Sequence, residues 1–172
     1  CGLLLQSGND CAAAIAEHIS GSQEAFAELM NTEAKQLGAT GTHFVNPHGL
    51  HDENHYTTTY DLYLMFNEAL KDQAFLDIIS MNSYTAKVTS ADGTSYTPTW
   101  QATNYYSAGE ATPPDGIHVY GGKTGTTDQA GNCVILYEKN TAGEPYISVI
   151  MGASDKPLLY EEMNELLDAG MK

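Results

Sequence analysis

The sequence contains no arginine and few positive charges of any kind. Its 172 residues hold 7 lysines against 22 aspartates and glutamates, which gives a formal charge of −15. A nucleic-acid-binding surface needs clustered basic side chains to neutralise phosphates, and an anionic membrane surface repels a chain of this charge. The composition therefore argues against nucleic acids and acidic lipids as partners.

Long apolar runs and paired cysteines are also missing. No stretch approaches the ~18 apolar residues of a membrane-spanning helix. Cys1, Cys11 and Cys133 are odd in number and irregularly spaced, so neither a disulfide framework nor a C-x-x-C zinc site is expected. The N-terminus has no starting methionine and no basic signal-peptide region, so we expect a piece of a longer protein.

Apolar residues recur with helical spacing in the first half of the chain and predict four helices. Their predicted ranges are 10–20, 22–37, 59–71 and 73–79. Ser22 is the expected N-cap of the second helix and Gly38 its stop. In the first helix the face expected to be buried carries Cys11, Ile15, His18 and Ile19.

The second half changes to the two-residue period of strands. The predicted strands cover 84–89, 96–100, 118–124, 133–137 and 146–151. Asp92-Gly93 predicts a hairpin between the first two, and the last two are apolar on both faces, as in central strands. An amphipathic helix is predicted over 157–172, with these residues inward: Leu158, Leu159, Met163, Leu166 and Leu167. This order of elements predicts a single α+β domain.

Residues 121–127, with the sequence GGKTGTT, have two functional interpretations. A phosphate-binding loop needs a glycine where Ile117 stands and a helix directly after the lysine, whereas a turn into a strand is predicted. A K-T-G element on a strand fits better. Lys123 offers positive charge to an anionic substrate terminus, Thr124 adds a hydroxyl donor, and Gly125 leaves room for a substrate backbone. A hairpin glycine beside a surface lysine is the plain alternative.

Ser7, Gly8 and Asn9 form a second element, S-x-N, directly before the first predicted helix. Helix capping alone would explain these residue types. In the functional interpretation, Ser7 relays a proton between a nucleophile and its base, and Asn9 binds a substrate amide. The spacing alone does not decide between the two.

Together these elements resemble a known family. Class A β-lactamases and penicillin-binding proteins combine S-x-x-K, S-x-N and K-T-G in this chain order. The sequence is similar to the low-molecular-weight D-alanyl-D-alanine carboxypeptidases, peptidase family S11, over almost its whole length. The stretches that carry the resemblance are LQSGND at 5–10, GS at 21–22, FVNPHGL at 44–50, TTYDL at 58–62 and GKTGTT at 122–127.

The resemblance implies an α+β fold of the serine β-lactamase and penicillin-binding-protein type. It also implies trimming of peptidoglycan stem pentapeptides through an acyl-enzyme, without a metal or organic cofactor. In that mechanism Ser7 relays protons, Asn9 holds the stem amide and Lys123 supplies positive potential. Thr124 donates to the substrate carboxylate, and the backbone N–H of Thr126 forms half of the oxyanion hole.

The same resemblance implies partners and a location. The partners would be peptidoglycan stem peptides and, for the intact enzyme, β-lactams. The location would be outside the cytoplasmic membrane of a bacterium, in the envelope or secreted.

Two features depart from the family pattern. No lysine has a serine three positions before it, so the S-x-x-K motif that bears the nucleophile is absent. We therefore expect residues 1–172 to be an N-terminally incomplete catalytic domain, inactive alone, with an apolar surface or open sheet edge that a second copy covers. Without arginine, the substrate carboxylate is left to Lys123, Thr124 and Thr126.

Two other functions stay open from the sequence. One is a β-lactamase on the same fold, which turnover of penicillin against a D-Ala-D-Ala peptide would separate. The other is a non-catalytic module that binds peptidoglycan peptides, which an upstream reading frame without S-x-x-K would support.

A histidine cluster raises the question of metal binding. His43, His48, His51 and His55 lie within 13 residues. Imidazole is a zinc ligand, but this spacing matches no zinc motif. A polar surface loop is the favoured interpretation, and no metal is expected.

Overall fold

Helices occupy the first half of the chain and antiparallel strands most of the second, in a computed structural model that describes residues 1–170. The helices are α1 (Asn9–Ser20), α2 (Gln23–Gln36), α3 (Thr59–Ala69), α4 (Gln73–Ile79), α5 (Tyr105–Ala108) and α6 (Lys156–Gly170). The strands are β1 (Ser83–Thr85), β2 (Val88–Thr89), β3 (Ser95–Tyr96), β4 (Thr99–Gln101), β5 (Ile117–Thr127), β6 (Gly131–Asn140) and β7 (Pro145–Ala153). Among these residues no helix has both the length and the apolar character needed to cross a membrane.

Local capping explains where the helices begin and end. The Ser22 side chain accepts a hydrogen bond from the Ala25 N–H, and the chain turns into the left-handed region at Gly38. Both features confirm the predicted limits of the second helix. Thr58 and Asp72 cap α3 and α4 in the same way.

The predicted buried face of α1 is wrong. Ile15 and Ile19 are 43% and 57% exposed, and the buried positions are Ala12 and Ala16. The helix packs against α2, and Ala12 and Ala16 are its buried residues. Small side chains let two helix backbones approach closely, so the larger residues face outward here.

Strands β5, β6 and β7 form an antiparallel sheet in that order. The central strand β6 alternates its side chains between two cores. Val134 and Leu136 pack with α6, whereas Ile135 packs with Phe66 of α3 and Ile79 of α4. The double coverage predicted for this strand is confirmed.

The strand predicted over 146–151 is covered on both faces as expected, with Ile150 against one core and Ile147 and Val149 against the other, but it is not central. Within residues 1–170, β7 has a strand neighbour on one side only, so its other edge is open. The predicted hairpin at Asp92-Gly93 is present, but its two arms are split into the short ladders β1–β4 and β2–β3. Pairing is interrupted where Pro98, which has no N–H, faces Ala86.

Helix α6 buries most of the residues that were predicted to face inward. Leu159 and Met163 are buried against the sheet, as expected, and Tyr160 joins them. Leu166 is 41% exposed, so its predicted inward position is wrong. Residues 171–172 of the predicted helix lie outside the described residues.

Glu138 places a carboxyl group inside the core. This β6 side chain is 0% exposed, and its Oε1 accepts a hydrogen bond from Ser148 Oγ at 2.5 Å. Its Oε2 has no hydrogen-bond partner among the described residues. Burial raises the pKa of Glu138 to about 7.

Glu138→Gln is therefore expected to stabilise the protein near pH 8 by up to about 3 kcal/mol, with little change near pH 4. Between pH 4.5 and 7 the native carboxyl keeps its proton while the unfolded one loses it. Wild-type stability consequently falls as pH rises through this window. Urea unfolding at both pH values measures the effect, and an equal gain at both would assign it to packing.

Candidate active site

Ser7 sits at the end of a tight turn that precedes α1. The Leu5 N–H bonds to the Cys1 carbonyl, the Gly8 N–H bonds to the Gly2 carbonyl, and Leu5 is buried. Ser7 adopts φ 57°, a left-handed conformation that is strained for a residue with a Cβ. The N-cap of α1 is Gly8, without a side-chain cap, so capping does not explain the S-x-N element.

Lys123 joins the S-x-N and K-T-G elements. Its Nζ donates a hydrogen bond of 2.7 Å to Ser7 Oγ and another of 2.6 Å to the Thr124 carbonyl. Burial lowers the pKa of Lys123 to about 8. The interpretation of Lys123 as a free surface lysine is therefore wrong, and two residues 116 positions apart form one hydrogen-bonded pair.

The rest of the K-T-G strand carries a row of hydroxyl groups. Thr124 Oγ1 lies 2.6 Å from Thr103 Oγ1, and Thr126 Oγ1 donates to Asn132 Oδ1 at 3.3 Å. A Cβ built on Gly125 would meet nothing within 4 Å, so this glycine opens onto free space. Thr103 and Asn132 belong to no sequence motif, and only the fold brings them beside Thr124 and Thr126.

The loop between α2 and α3 lies opposite the K-T-G strand, and side chains of both helices form hydrogen bonds with it. Asn31 of α2 holds Phe44 by two hydrogen bonds, to its carbonyl at 2.8 Å and from its N–H at 2.7 Å. Asp61 of α3, which is buried, accepts from the Gly41 N–H at 2.8 Å and the Thr42 hydroxyl at 2.6 Å. These paired contacts fix the first part of the loop, residues 41–44, against α2 and α3.

Within this loop Asn46 closes a tight turn. Its Oδ1 accepts from the N–H groups of His48 and Gly49, and its Nδ2 donates to the Leu50 carbonyl. His55 accepts a hydrogen bond from the Val45 N–H at Nδ1, and burial lowers its pKa. The turn presents the FVNPHGL stretch to the K-T-G strand.

A cleft of about 490 Å³ separates the two walls. One side consists of Ser7, Asn9 and residues 123–127, and the other of residues 46–50 with His55. Leu3, Met30 and Phe44 complete the lining, and no aspartate or glutamate among residues 1–170 is part of it. All six predicted site residues are thus in one cleft: Ser7, Asn9, Lys123, Thr124, Gly125 and Thr126.

One alternative interpretation of the motifs fails on this geometry, and a second finds no support in it. The chain continues as strand β5 through Thr127, so no helix follows the lysine and a phosphate-binding loop is excluded. The loop histidines form no group of three or more potential ligands suited to a metal, within residues 1–170. His43, His48 and His55 make hydrogen bonds inside the loop instead.

The strain at Ser7 has a measurable consequence. Ser7→Gly is expected to be more stable than Ser7→Ala by about 1 kcal/mol, because only glycine adopts positive φ without penalty. Both variants lose the same hydroxyl, so urea unfolding of the pair isolates the backbone term. Equal stability of the two would show that this conformation is not strained.

Known proteins are similar to this chain in sequence. The family described as D-alanyl-D-alanine carboxypeptidase, Peptidase S11, matches residues 1–155. The D-alanyl-D-alanine carboxypeptidase DacF of Bacillus subtilis is 32% identical over 97% of this chain, and DacA of Haemophilus influenzae is 32% identical over 98%. This chain spans 40% of the length of each of these relatives.

Solved structures agree on the fold. The Streptomyces K15 DD-transpeptidase superposes with a TM-score of 0.88 at 27% identity, covering 99% of this chain and 65% of its own. The D-alanyl-D-alanine carboxypeptidase of Mycobacterium tuberculosis H37Rv gives a TM-score of 0.81 at 27% identity, covering 99% and 61%. The predicted α+β fold class is confirmed. Sequence and structure agree that this chain belongs to the D-alanyl-D-alanine carboxypeptidase family, peptidase family S11.

Proposed function

We propose that this chain supplies the substrate cleft of a serine-type D-Ala-D-Ala carboxypeptidase that trims peptidoglycan stem peptides. The observation that carries the proposal is the hydrogen bond from Lys123 Nζ to Ser7 Oγ. It lies inside a cleft that no aspartate or glutamate of residues 1–170 lines. It places a positive charge and a proton-carrying hydroxyl together where a peptide with a free carboxylate can enter. Family membership supports the same reaction.

Ser7 and Lys123 act as a proton-transfer pair in this proposal. An attacking serine hydroxyl loses its proton, and the leaving D-Ala amine must gain one. Ser7 Oγ can pass that proton because a hydroxyl both donates and accepts. The lowered pKa of Lys123, about 8, keeps its ammonium close to the point at which it can also give up a proton.

The remaining site residues hold the substrate. Thr124 donates to the terminal carboxylate beside Lys123, and the open space at Gly125 admits the peptide backbone along β5. The Thr126 N–H provides one donor of the oxyanion hole. Asn9 binds the stem amide from the first turn of α1. No metal or organic cofactor takes part.

The nucleophile is assigned to a segment that these 172 residues do not contain, because no serine stands three positions before a lysine. In this proposal residues 1–172 are one part of the catalytic domain. An apolar groove of about 500 Å³ between α2 and α3 and the open edge of β7 support it, because both are surfaces that another segment can cover.

As the alternative to another segment, a second copy of the chain would cover the groove and the edge of β7. Sedimentation velocity and solution scattering distinguish the two cases. A homodimer of the 172-residue chain would support covering of these surfaces by a second copy. A compact monomer without an exposed apolar surface would contradict covering by another segment as well as by a second copy.

The substrate sets the location. Peptidoglycan lies outside the cytoplasmic membrane, so we place the protein in the bacterial envelope or outside the cell. β-Lactams are proposed ligands because they imitate the D-Ala-D-Ala terminus at the same cleft.

The test uses the chain with and without the nucleophile. The 172-residue chain is expected to bind N-acetyl-L-Lys-D-Ala-D-Ala in calorimetry, while the L-Ala-L-Ala diastereomer binds less well. A fluorescent penicillin is not expected to label this chain covalently, because its attacking serine is absent. Lack of peptide binding would overturn the proposed cleft, and covalent labelling would overturn the assignment of the nucleophile.

Catalysis is tested with a longer protein that includes an upstream S-x-x-K motif. It is expected to release D-Ala from the peptide and to form a stable adduct with penicillin. Rapid turnover of penicillin without D-Ala release would identify a β-lactamase instead.

A further inference from the structure

The loop wall of the cleft contains two histidines that the proposed catalytic steps do not use. His48 and His55 both line the cavity, across from the K-T-G strand. Neither belongs to the S-x-N or K-T-G element. Their role therefore has to follow from their own hydrogen bonds and from what surrounds them.

Backbone donors fix the tautomer of both rings. The Val45 N–H donates to Nδ1 of His55 at 3.1 Å, and the Leu50 N–H donates to Nδ1 of His48 at 3.3 Å. A neutral imidazole whose Nδ1 accepts a hydrogen bond carries its proton on Nε2. Within residues 1–170 neither Nε2 atom has a hydrogen-bond partner, so each ring has a free N–H donor.

The two rings are also held in place. The backbone contacts at Nδ1 limit ring rotation, and the His55 ring meets the Phe44 ring edge-on with 5.6 Å between centroids. The turn around His48 is closed by the Asn46 side chain. Donors that are fixed before binding lose little conformational entropy when a ligand arrives.

Charge determines which acceptor suits these donors. The chain carries a net charge of −15, yet no acidic side chain lines the cleft in the part of the chain that the structure describes. A carboxylate accepts several hydrogen bonds and forms stronger ones than a neutral carbonyl. Lys123 and Thr124 already serve the terminal carboxylate of the proposed substrate, so the loop wall has capacity for another.

From these observations we propose that His48 and His55 form a second anion-recognition wall, which selects peptides with an additional carboxylate on the side chain before D-Ala-D-Ala. This inference rests on the proposed function and extends it to the substrate class. The preferred substrate is an acidic peptide with two separate carboxylates. The terminal carboxylate contacts the K-T-G strand and the side-chain carboxylate contacts the two imidazole N–H groups.

Two peptides that differ in one charge provide the test. N-acetyl-L-Glu-D-Ala-D-Ala and N-acetyl-L-Gln-D-Ala-D-Ala have nearly the same shape, and calorimetry measures the affinity of each. The wild-type chain is expected to prefer the glutamyl peptide about ten-fold, since the two imidazole N–H groups bond more strongly to a carboxylate than to the neutral amide of glutamine. His48→Ala and His55→Ala should each reduce this ratio, and the double variant should bring it to one.

Controls separate recognition from loop structure. His51→Ala changes an exposed histidine of the same loop that does not line the cleft, and it should keep the wild-type ratio. His55→Gln offers an acceptor to the Val45 N–H and a donor to the ligand, so it should retain part of the preference if His55→Ala unfolds the loop. Equal affinity of wild type for both peptides would overturn this inference alone. Failure of both peptides to bind would overturn the proposed function with it.

Discussion

Replacing Lys123 by methionine is expected to weaken binding of N-acetyl-L-Lys-D-Ala-D-Ala by roughly 30-fold or more. Methionine keeps much of the side chain's apolar bulk but removes the charge and the Nζ donors that bind Ser7 and the Thr124 carbonyl. Loss of one member of a buried, hydrogen-bonded charge pair generally costs 2–5 kcal/mol, of the order of 30-fold and above. Lys123 is the one lysine that lines the described cleft, so no other ammonium replaces it. Calorimetry of wild type and variant measures the change.

The pH dependence gives the Lys123 prediction a second readout. Burial lowers the pKa of Lys123 to about 8, so the wild-type ammonium loses its charge as pH rises through that value. Affinity for a carboxylate peptide should fall over the same range, while the methionine variant should show no such fall. Lys87→Met, at an exposed lysine outside the cleft, is the matched control and should behave as wild type. A variant that binds normally would remove Lys123 from the site.

Gly122→Ala is expected to destabilise the protein by more than about 4 kcal/mol, or to prevent folding altogether. A Cβ at this position would overlap the backbone carbonyl of Ile135 on the neighbouring strand. Backbone cannot move aside as the end of a flexible side chain can, so β5 and β6 would have to separate. Urea unfolding or the yield of folded protein measures the loss.

Gly125→Ala is the matched comparison three residues along the same strand. Its Cβ would meet nothing within 4 Å, so stability should change by less than about 1 kcal/mol. The new methyl group would occupy the space proposed for the substrate backbone, and peptide affinity should fall at least about ten-fold. Equal destabilisation by the two alanines would contradict this division between a structural and a functional glycine.

The sequence was sufficient to predict one wall of the cleft. The S-x-N and K-T-G elements, in this order, resemble those of peptidase family S11, and that resemblance implied that Ser7 and Lys123 belong to one active site. Strong local patterns also predicted the helix limits at Ser22 and Gly38. Helix limits of this kind depend on residues that are neighbours along the chain, which a sequence displays directly.

Features that depend on distant residues were harder to predict. Thr103 contacts Thr124 only because the chain leading into α5 lies beside β5. The outward face of α1 was misassigned because hydrophobicity favours burying Ile15, whereas close packing on α2 favours Ala12 and Ala16. The open edge of β7 depends on which strands are available to pair, and a single apolar run does not reveal that.

The irregular pairing of β5 with β6 has a consequence for the whole K-T-G strand. Val119 faces Glu138 and Gly121 faces Tyr137, so Tyr120 is an extra residue without a partner. Side chains alternate between the two sides of a strand, and one inserted residue reverses the alternation for everything that follows. In a regular strand Val119 and Lys123, both odd-numbered, would lie on the same face, whereas here they pair with Glu138 and Ile135, which are on opposite faces of β6. The phase of this strand, and with it the direction in which Lys123 emerges, is therefore set by a single bulge three residues upstream.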